Sequence, residues 1–249
     1  MSKCHNYYFC YVDIMDFLEN GGKQYLPNLS IDIVIIGYER QTLKCLLLQI
    51  GDKWVLPGGY IGQNESTENA ASRILQERTS LESAQLQFLS VFGHENRSFG
   101  EQFKQYAATK DIPWDETYWV NSRFVTLSHY ALVNIHETHP LPGEYDEAIQ
   151  WFNFNDLPEM WLDHKRIVME ARNRMKHDIL GGQTCHDLLS EKFTMPELHQ
   201  LHQIILEQEL DRSRFQKKML SSGKFKRLPK LQKTTPGRNP FLYTSIKNH

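Results

Sequence analysis

The sequence predicts an α+β chain in two parts, a layered domain in which strands and helices alternate and a small carboxy-terminal domain of two helices closed by a hairpin. Three observations carry this. Short Ile-, Val- and Leu-rich runs alternate with helical patterns as far as residue 175. After Thr194 the pattern changes to capped, basic helices. The charge divides at the same place: residues 192–249 hold twelve Lys and Arg against four Asp and Glu, a net of +8, leaving −10 for residues 1–191.

Residues 30–38 (SIDIVIIGY) and 44–50 (KCLLLQI) are two strands joined by a polar ERQT turn. Residues 54–61 (WVLPGGYI) bring a Pro-Gly-Gly breaker, and the stretch 66–78 then has no Gly or Pro and spaces Ala70, Ala71, Ile74 and Leu75 as a helix does. Residues 85–92, 123–134 and 148–154 are further strands, and 95–121 is an aromatic, charged excursion with little period. Residues 162–175 form a closing helix, and 179–191, with Gly181-Gly182, a linker. Thr194-Met195-Pro196-Glu197 is a capping box that opens a helix with the stripe Leu198, Leu201, Ile205. Asp211 caps a second helix with Phe215 and Met219 four apart inside, ending near Gly223. Residues 225–246 carry two apolar and basic segments around Thr234-Thr235-Pro236-Gly237-Arg238, a β-hairpin. Helix, short turn, helix and hairpin is the arrangement of a winged helix-turn-helix. Domain limits follow at 1–28 (extension), 29–178, 179–191 (linker) and 192–249.

Composition excludes several classes. At 249 residues, with 40% hydrophobic, 23% charged and 12% aromatic side chains, the chain is long enough for a core and unlike disordered or fibrous sequences. Its longest apolar run, at 31–38, is interrupted by Asp32 and Gly37, so no membrane span is expected, and residues 1–11 lack a signal-peptide pattern. Cys4, Cys10, Cys45 and Cys185 form no CxxC pair. A reducing cytoplasm is the expected home.

Residues 59–81, GYIGQNESTENAASRILQERTSL, resemble the box of the Nudix family, G-x5-E-x7-R-E-U-x-E-E-x-G-U with U aliphatic, at Gly59, Glu65, Arg73, Leu75, Glu77 and Leu81. Pro57-Gly58 precedes it as is usual there, and the resemblance covers residues 29–175. It implies an α/β/α sandwich with a mixed sheet, whose box helix would present carboxylates to a divalent metal bridging a substrate diphosphate. Here the family's R-E is Arg73-Ile74, its E-E is Glu77-Arg78 and its Gly is Ser80. Positions 74, 77 and 78 share one helical face, so an apolar group and a cation replace two ligands. No catalytic residue and no metal ligand is therefore assigned and no cofactor is expected, Mg²⁺ entering only if the chain is a hydrolase. Gly58 and Gly59 permit close backbone approach, and Glu65, Arg73, Glu77, Arg97 and Arg123 are candidate ligand contacts, with a structural salt bridge the competing role for each. Trp54 and Trp151 are read as core.

Residues 192–246 resemble the winged helix fused to degenerate Nudix domains in bacterial transcriptional regulators, a group that includes repressors of NAD metabolism and regulators of sugar utilisation. The resemblance rests on KFTMPELHQLHQIIL, LDRSRFQKKML and GRNPFLY. Arg214, Lys217, Lys218 and Ser221 fall opposite Phe215 and Met219, the division a helix entering the major groove requires. Arg212, Ser213, Arg214 and Gln216 are placed nearest the bases, and Lys217, Lys218, Lys230, Lys233 and Arg238 on phosphates. The implied partners are double-stranded operator DNA, a small effector (an ADP-ribose-like nucleotide or a sugar) and a second copy of the chain. Two alternatives remain: a nucleoside-diphosphate hydrolase with an atypical metal set, for which Glu65 and Glu77 argue, and a basic module that recruits a protein. His136, His139, His199 and His202 lack HExxH spacing, and no P-loop or internal repeat occurs.

Overall fold

The computed structural model describes residues 4–81, 84–142, 146–232 and 239–246, with side chains of the first helix from Ile14 onward. The first domain is built on a seven-stranded mixed sheet. Its spine is β1 (Tyr25–Glu39), which turns through Arg40 and Gln41, both at positive φ, into the antiparallel β2 (Thr42–Ile50). Such a two-residue turn matches the twist of the strands it joins. β3 (Lys53–Val55) and β7 (Ala148–Asn153) pair with β2, and β4 (Gly58–Gly62) with the first half of β1. The other edge of β1 receives β6 (Val125–Leu132) in parallel, followed by antiparallel β5 (Leu86–Phe92).

Alternation along β1 sorts its side chains to two faces. Ile31, Ile33 and Ile35 pack against Ala70, Ala71, Ile74 and Leu75 of α2 (Thr67–Thr79). Val34 and Ile36 meet Ile167, Val168, Ala171 and Met175 of α4 (His164–Leu180). The sheet is thus covered on both sides, the expected sandwich. Ser66 caps α2 by accepting from the Asn69 amide at 3.2 Å.

Two helices lie where none was expected. α1 (Cys4–Gln24) runs directly into β1, so residues 25–28, placed in the extension, belong to the sheet. Its Ile14 and Leu18 are buried with Phe103 and Tyr106 of α3 (Gly100–Thr109), which lies inside the stretch 95–121. The closing helix is also longer than the expected 162–175, reaching Leu180.

The second domain holds α5 (Met195–Leu206), α6 (Arg212–Ser221) and an antiparallel sheet in the order β8 (Phe193–Thr194), β10 (Phe241–Ser245), β9 (Phe225–Lys230). Both sides of the capping box form: the Glu197 amide donates to Thr194 Oγ1 at 3.3 Å and the Thr194 amide to Glu197 Oε2 at 2.6 Å. Asp211 caps α6 through the Arg214 amide at 2.7 Å. Leu198, Leu201, Ile205, Phe215 and Met219 form the core, sealed by Phe193 and Tyr243. The third strand, β8, was not anticipated.

The segment expected to be a linker is packed. Ile179, Cys185 and Leu188 are buried in one continuous cluster with the α4 face and the α5–α6 core. Lys176 and Arg172 of α4 both pair with Glu207 at the end of α5, holding its carboxyl below the usual range. The Lys224 ammonium donates to Gly182 O at 2.7 Å.

His202 of α5 ties this junction together, its Nε2 lying 2.8 Å from Thr184 O. Burial lowers its pKa from 6.5 to about 4, against the hydrogen bond and together with Lys218 and His199. The unfolded chain therefore takes up a proton that the fold refuses. Stability from the neutral imidazole is intact above pH 6.5 and is lost as pH falls from 6.5 toward about 4, at up to about 1.4 kcal/mol per pH unit. The thermal midpoint should drop across this window and drop less in His202→Gln; an identical slope in that variant would assign the acid loss to other groups.

Candidate functional site

A cavity of about 600 Å³ opens where β1, β4 and α2 meet α1, α3 and the start of α4. Its position follows from glycine. A Cβ on Gly58 would lie 2.6 Å from Ile31 O and 2.8 Å from Asp32 Oδ1, so only glycine lets β4 approach β1 there. Gly59 likewise sits against Ile74, where a Cβ would approach to 3.0 Å. Both line the cavity, as do Ile74, Glu77 and Arg78 of the box helix.

The box retains its internal clamp. Arg73 donates from Nε to Glu65 Oε1 at 2.8 Å, from Nη2 to Glu65 Oε2 at 2.9 Å and to Tyr60 O at 3.0 Å. Glu65 also accepts from the Gly62 amide at 3.1 Å. The Arg73 guanidinium and then the Gly62 amide hold the Glu65 carboxyl low against its partial burial. Glu77, 3.4 Å from Arg73, is half exposed. Arg73, which also lines the cavity, thus fastens the β4–α2 loop to the helix.

A divalent metal does not fit these residues. Of the helix positions facing the cavity, Ile74 offers no oxygen, Arg78 is a cation, and Glu77 is shared with Arg73. Hard cations require several oxygen ligands. Arg78 instead forms a tight salt bridge to Asp146, whose side chain is 3% exposed. The cation is thus held in a part-buried pair at the cavity edge rather than left as a stray charge.

The cavity floor brings together Ser30, Asp32 and His164, which sequence reasoning did not name as site residues. Asp32 accepts from Arg97 Nη2 at 2.7 Å, and Arg97 Nε reaches Asp163 at 3.0 Å. Arg97 is 1% exposed and stands behind Asp32, outside the cavity lining. The expectation that it touches ligand is corrected: two carboxylates and the Phe99 ring, 5.0 Å from the guanidinium, hold it in the wall. Arg123 is likewise outside the lining, exposed and donating to Gly93 O at 2.7 Å. His164, the first residue of α4, is buried, and its Nδ1 accepts from the Leu56 amide at 2.9 Å. Burial lowers its pKa, so the ring is neutral with its proton on Nε2. That Nε2 has no hydrogen-bond partner and lies 3.9 Å from Asp32 Oδ2. Ser30 Oγ, also in the lining, is buried without a partner. One signal was legible: a carboxylate at Asp32 inside a run of buried Ile and Val demands a partner. Trp54 and Trp151 lie outside the lining and pack on the core, whereas Phe99 and Trp161 form cavity wall.

On the second domain, α6 carries an exposed polar face. Phe215 and Met219 are buried, and Arg212, Ser213, Arg214, Gln216, Lys217 and Lys218 are all exposed. Lys230 on β9 is exposed beside the Phe241 ring, and Arg227 stacks on the same ring at 3.8 Å, a cation the sequence reading omitted. Lys233 and Arg238 lie outside the described residues. Of the histidines, His199 contacts Leu210 O at 2.8 Å and packs, like His202, on Phe215.

Comparison with known proteins places both halves. The NUDIX domain family matches residues 27–171, and the NrtR DNA-binding winged helix domain matches residues 185–244. A curated relative, the ADPR responsive transcriptional repressor NtrR of Acinetobacter baylyi, is 24% identical over 206 residues, spanning 79% of this chain and 74% of that protein. Among solved structures, Shewanella oneidensis NrtR complexed with a 27mer DNA is 23% identical with a TM-score of 0.67, covering 88% of this chain and 93% of that one. A MutT/nudix family protein from Enterococcus faecalis is 21% identical with a TM-score of 0.66, covering 99% of both chains. These structural likenesses establish the shared fold.

Proposed function

Since the chain belongs to the Nudix family and carries an NrtR-type winged helix behind that domain, we propose that it is a ligand-responsive, DNA-binding transcriptional regulator. The observation that carries this reading is α6: six exposed polar or cationic side chains over a buried Phe215–Met219 anchor, beside a basic wing. Recognition helices have this construction. The Nudix domain supplies the sensor, its metal-unsuited box leaving a ligand cavity. We assign no catalytic residue and no cofactor to it.

The effector is an ADP-ribose-like nucleotide or a sugar. ADP-ribose has the support of the curated relative's own description. A homodimer on a two-fold operator is the natural assembly. No helix among the described residues is long and apolar enough to cross a membrane, in keeping with a protein that meets DNA in the cytoplasm. For regulation, the effector must bind the DNA-competent and DNA-incompetent arrangements with different affinity, since equal affinity shifts nothing.

The test is fluorescence anisotropy of the full chain on labelled DNA from upstream of its own gene and on a scrambled duplex, across a salt series. Tighter binding to the upstream DNA, a steep fall of log affinity with log salt, and release by ADP-ribose or a sugar are expected. Equal affinity for both duplexes, or protein capture without a salt slope, would overturn it. Turnover of a nucleoside diphosphate derivative with Mg²⁺ or Mn²⁺ that vanishes in Glu77→Gln would replace it with a hydrolase.

A further inference from the structure

The charged groups around the cavity are unfavourable to a bare diphosphate as the only anchor. Arg73 and Arg78 are the cations of the described lining, and both already hold carboxylates. The floor, by contrast, has unused hydrogen-bonding capacity. His164 Nε2–H and Asp32 Oδ2 face one another at 3.9 Å, too far to bond, and Ser30 Oγ is buried without a partner. An oxygen about 2.8 Å from both His164 Nε2 and Asp32 Oδ2 would satisfy both groups.

The chemistry of the gap selects the oxygen. It must accept a proton from the imidazole and donate one to a carboxylate. A phosphate oxygen only accepts, whereas an alcohol does both, replacing a water that would otherwise bridge the pair. Ser30 and Asp32 lie two residues apart on β1 and therefore on one face, about 6.7 Å along the strand, a separation one sugar ring can bridge with hydroxyls at its two ends. Phe99 and Trp161 supply apolar wall beside it. We infer that the floor formed by Ser30, Asp32 and His164 is a sugar-hydroxyl subsite, in which one ligand hydroxyl bridges His164 Nε2 and Asp32 while Ser30 meets a second. The inference rests on the sensor reading above. It is open to two sources of that hydroxyl, the terminal ribose of a nucleoside diphosphoribose and a free monosaccharide.

Calorimetric titration of the full chain in EDTA with ADP-ribose, ADP, D-ribose, L-arabinose, D-xylose and D-glucose separates the sources. A nucleotide effector gives ADP-ribose at least about tenfold tighter than ADP, the worth of about 1.4 kcal/mol from the hydroxyl contacts. A free-sugar effector gives binding of one monosaccharide and none of ADP-ribose. His164→Asn keeps an acceptor for the Leu56 amide and deletes the Nε2 donor; it and Ser30→Ala should each weaken the favoured ligand severalfold, and in the nucleotide case unaltered ADP binding shows that the cavity is intact. Equal affinity for ADP and ADP-ribose with no monosaccharide bound, no binding of any of the six, or full affinity in both variants overturns the subsite. Sugar-dependent binding without release of DNA would leave the subsite standing and remove the regulatory reading instead.

Discussion

Replacing Arg214 and Lys218 together with alanine should weaken binding to operator DNA about a hundredfold and flatten its salt dependence. Both side chains are exposed on α6, and neither contributes to the Phe215–Met219 core, so the variant should fold as the parent does. The two changes have separable signatures. If Arg214, exposed in the first turn, meets a base edge as proposed, its loss costs about 1–3 kcal/mol and relaxes sequence preference. If Lys218, a turn further on, meets phosphate as proposed, its loss lowers affinity evenly across sequences and reduces the slope of log affinity against log salt by about one. Anisotropy on the upstream and scrambled duplexes at several salt concentrations distinguishes these. Unchanged affinity at matched salt would remove α6 from the DNA interface.

Arg97→Met should be among the most destabilising single changes in the first domain. The guanidinium is 1% exposed and is the shared partner of Asp32 and Asp163. Methionine fills much of the volume but leaves two carboxylates close together without their cation. Breaking a buried pair from one side costs about 3–5 kcal/mol, which for a chain of this size lowers the thermal midpoint by roughly 10 °C. The sign of the pH dependence follows from the cause. A lone buried carboxylate prefers its neutral form, so the deficit relative to the parent is full near neutrality and shrinks as acid protonates it. Adding Asp32→Asn should restore part of the loss. A midpoint within a degree or two of the parent, or a deficit that grows in acid, would show that the network is not held by this charge.

The same residue shows what the sequence could and could not reveal. Arg97 was legible as a polar group near the site, but its burial behind Asp32 depends on strands and loops far apart in the chain. The helices that announce themselves chemically were readable: Ser66, Thr194 and Asp211 each place a side-chain acceptor at a helix start. α3 begins at Phe99 with no side-chain cap, so its buried Phe103, Tyr106 and Ala107 lacked a boundary signal. Within the candidate site the box residues could be named because they are local. His164 could not, because the Leu56 amide that fixes its tautomer is 108 positions away.

The continuity of α4 has a mechanical consequence for regulation. Its first residue touches the cavity, and Arg172 and Lys176 grip Glu207 at the turn between α5 and α6. Seventeen helical residues form a rod of about 25 Å. A tilt of about 5° at the cavity end therefore displaces the far end by about 2 Å over that length. Such a lever transmits orientation rather than proximity, and it works only in one phase: each residue of insertion turns the gripping pair by about 100° around the axis. Segments of a regulator joined by a tether tolerate changes of length. Here the helix is packed at both ends, so inserting one residue into α4 should uncouple ligand from DNA while leaving each domain folded.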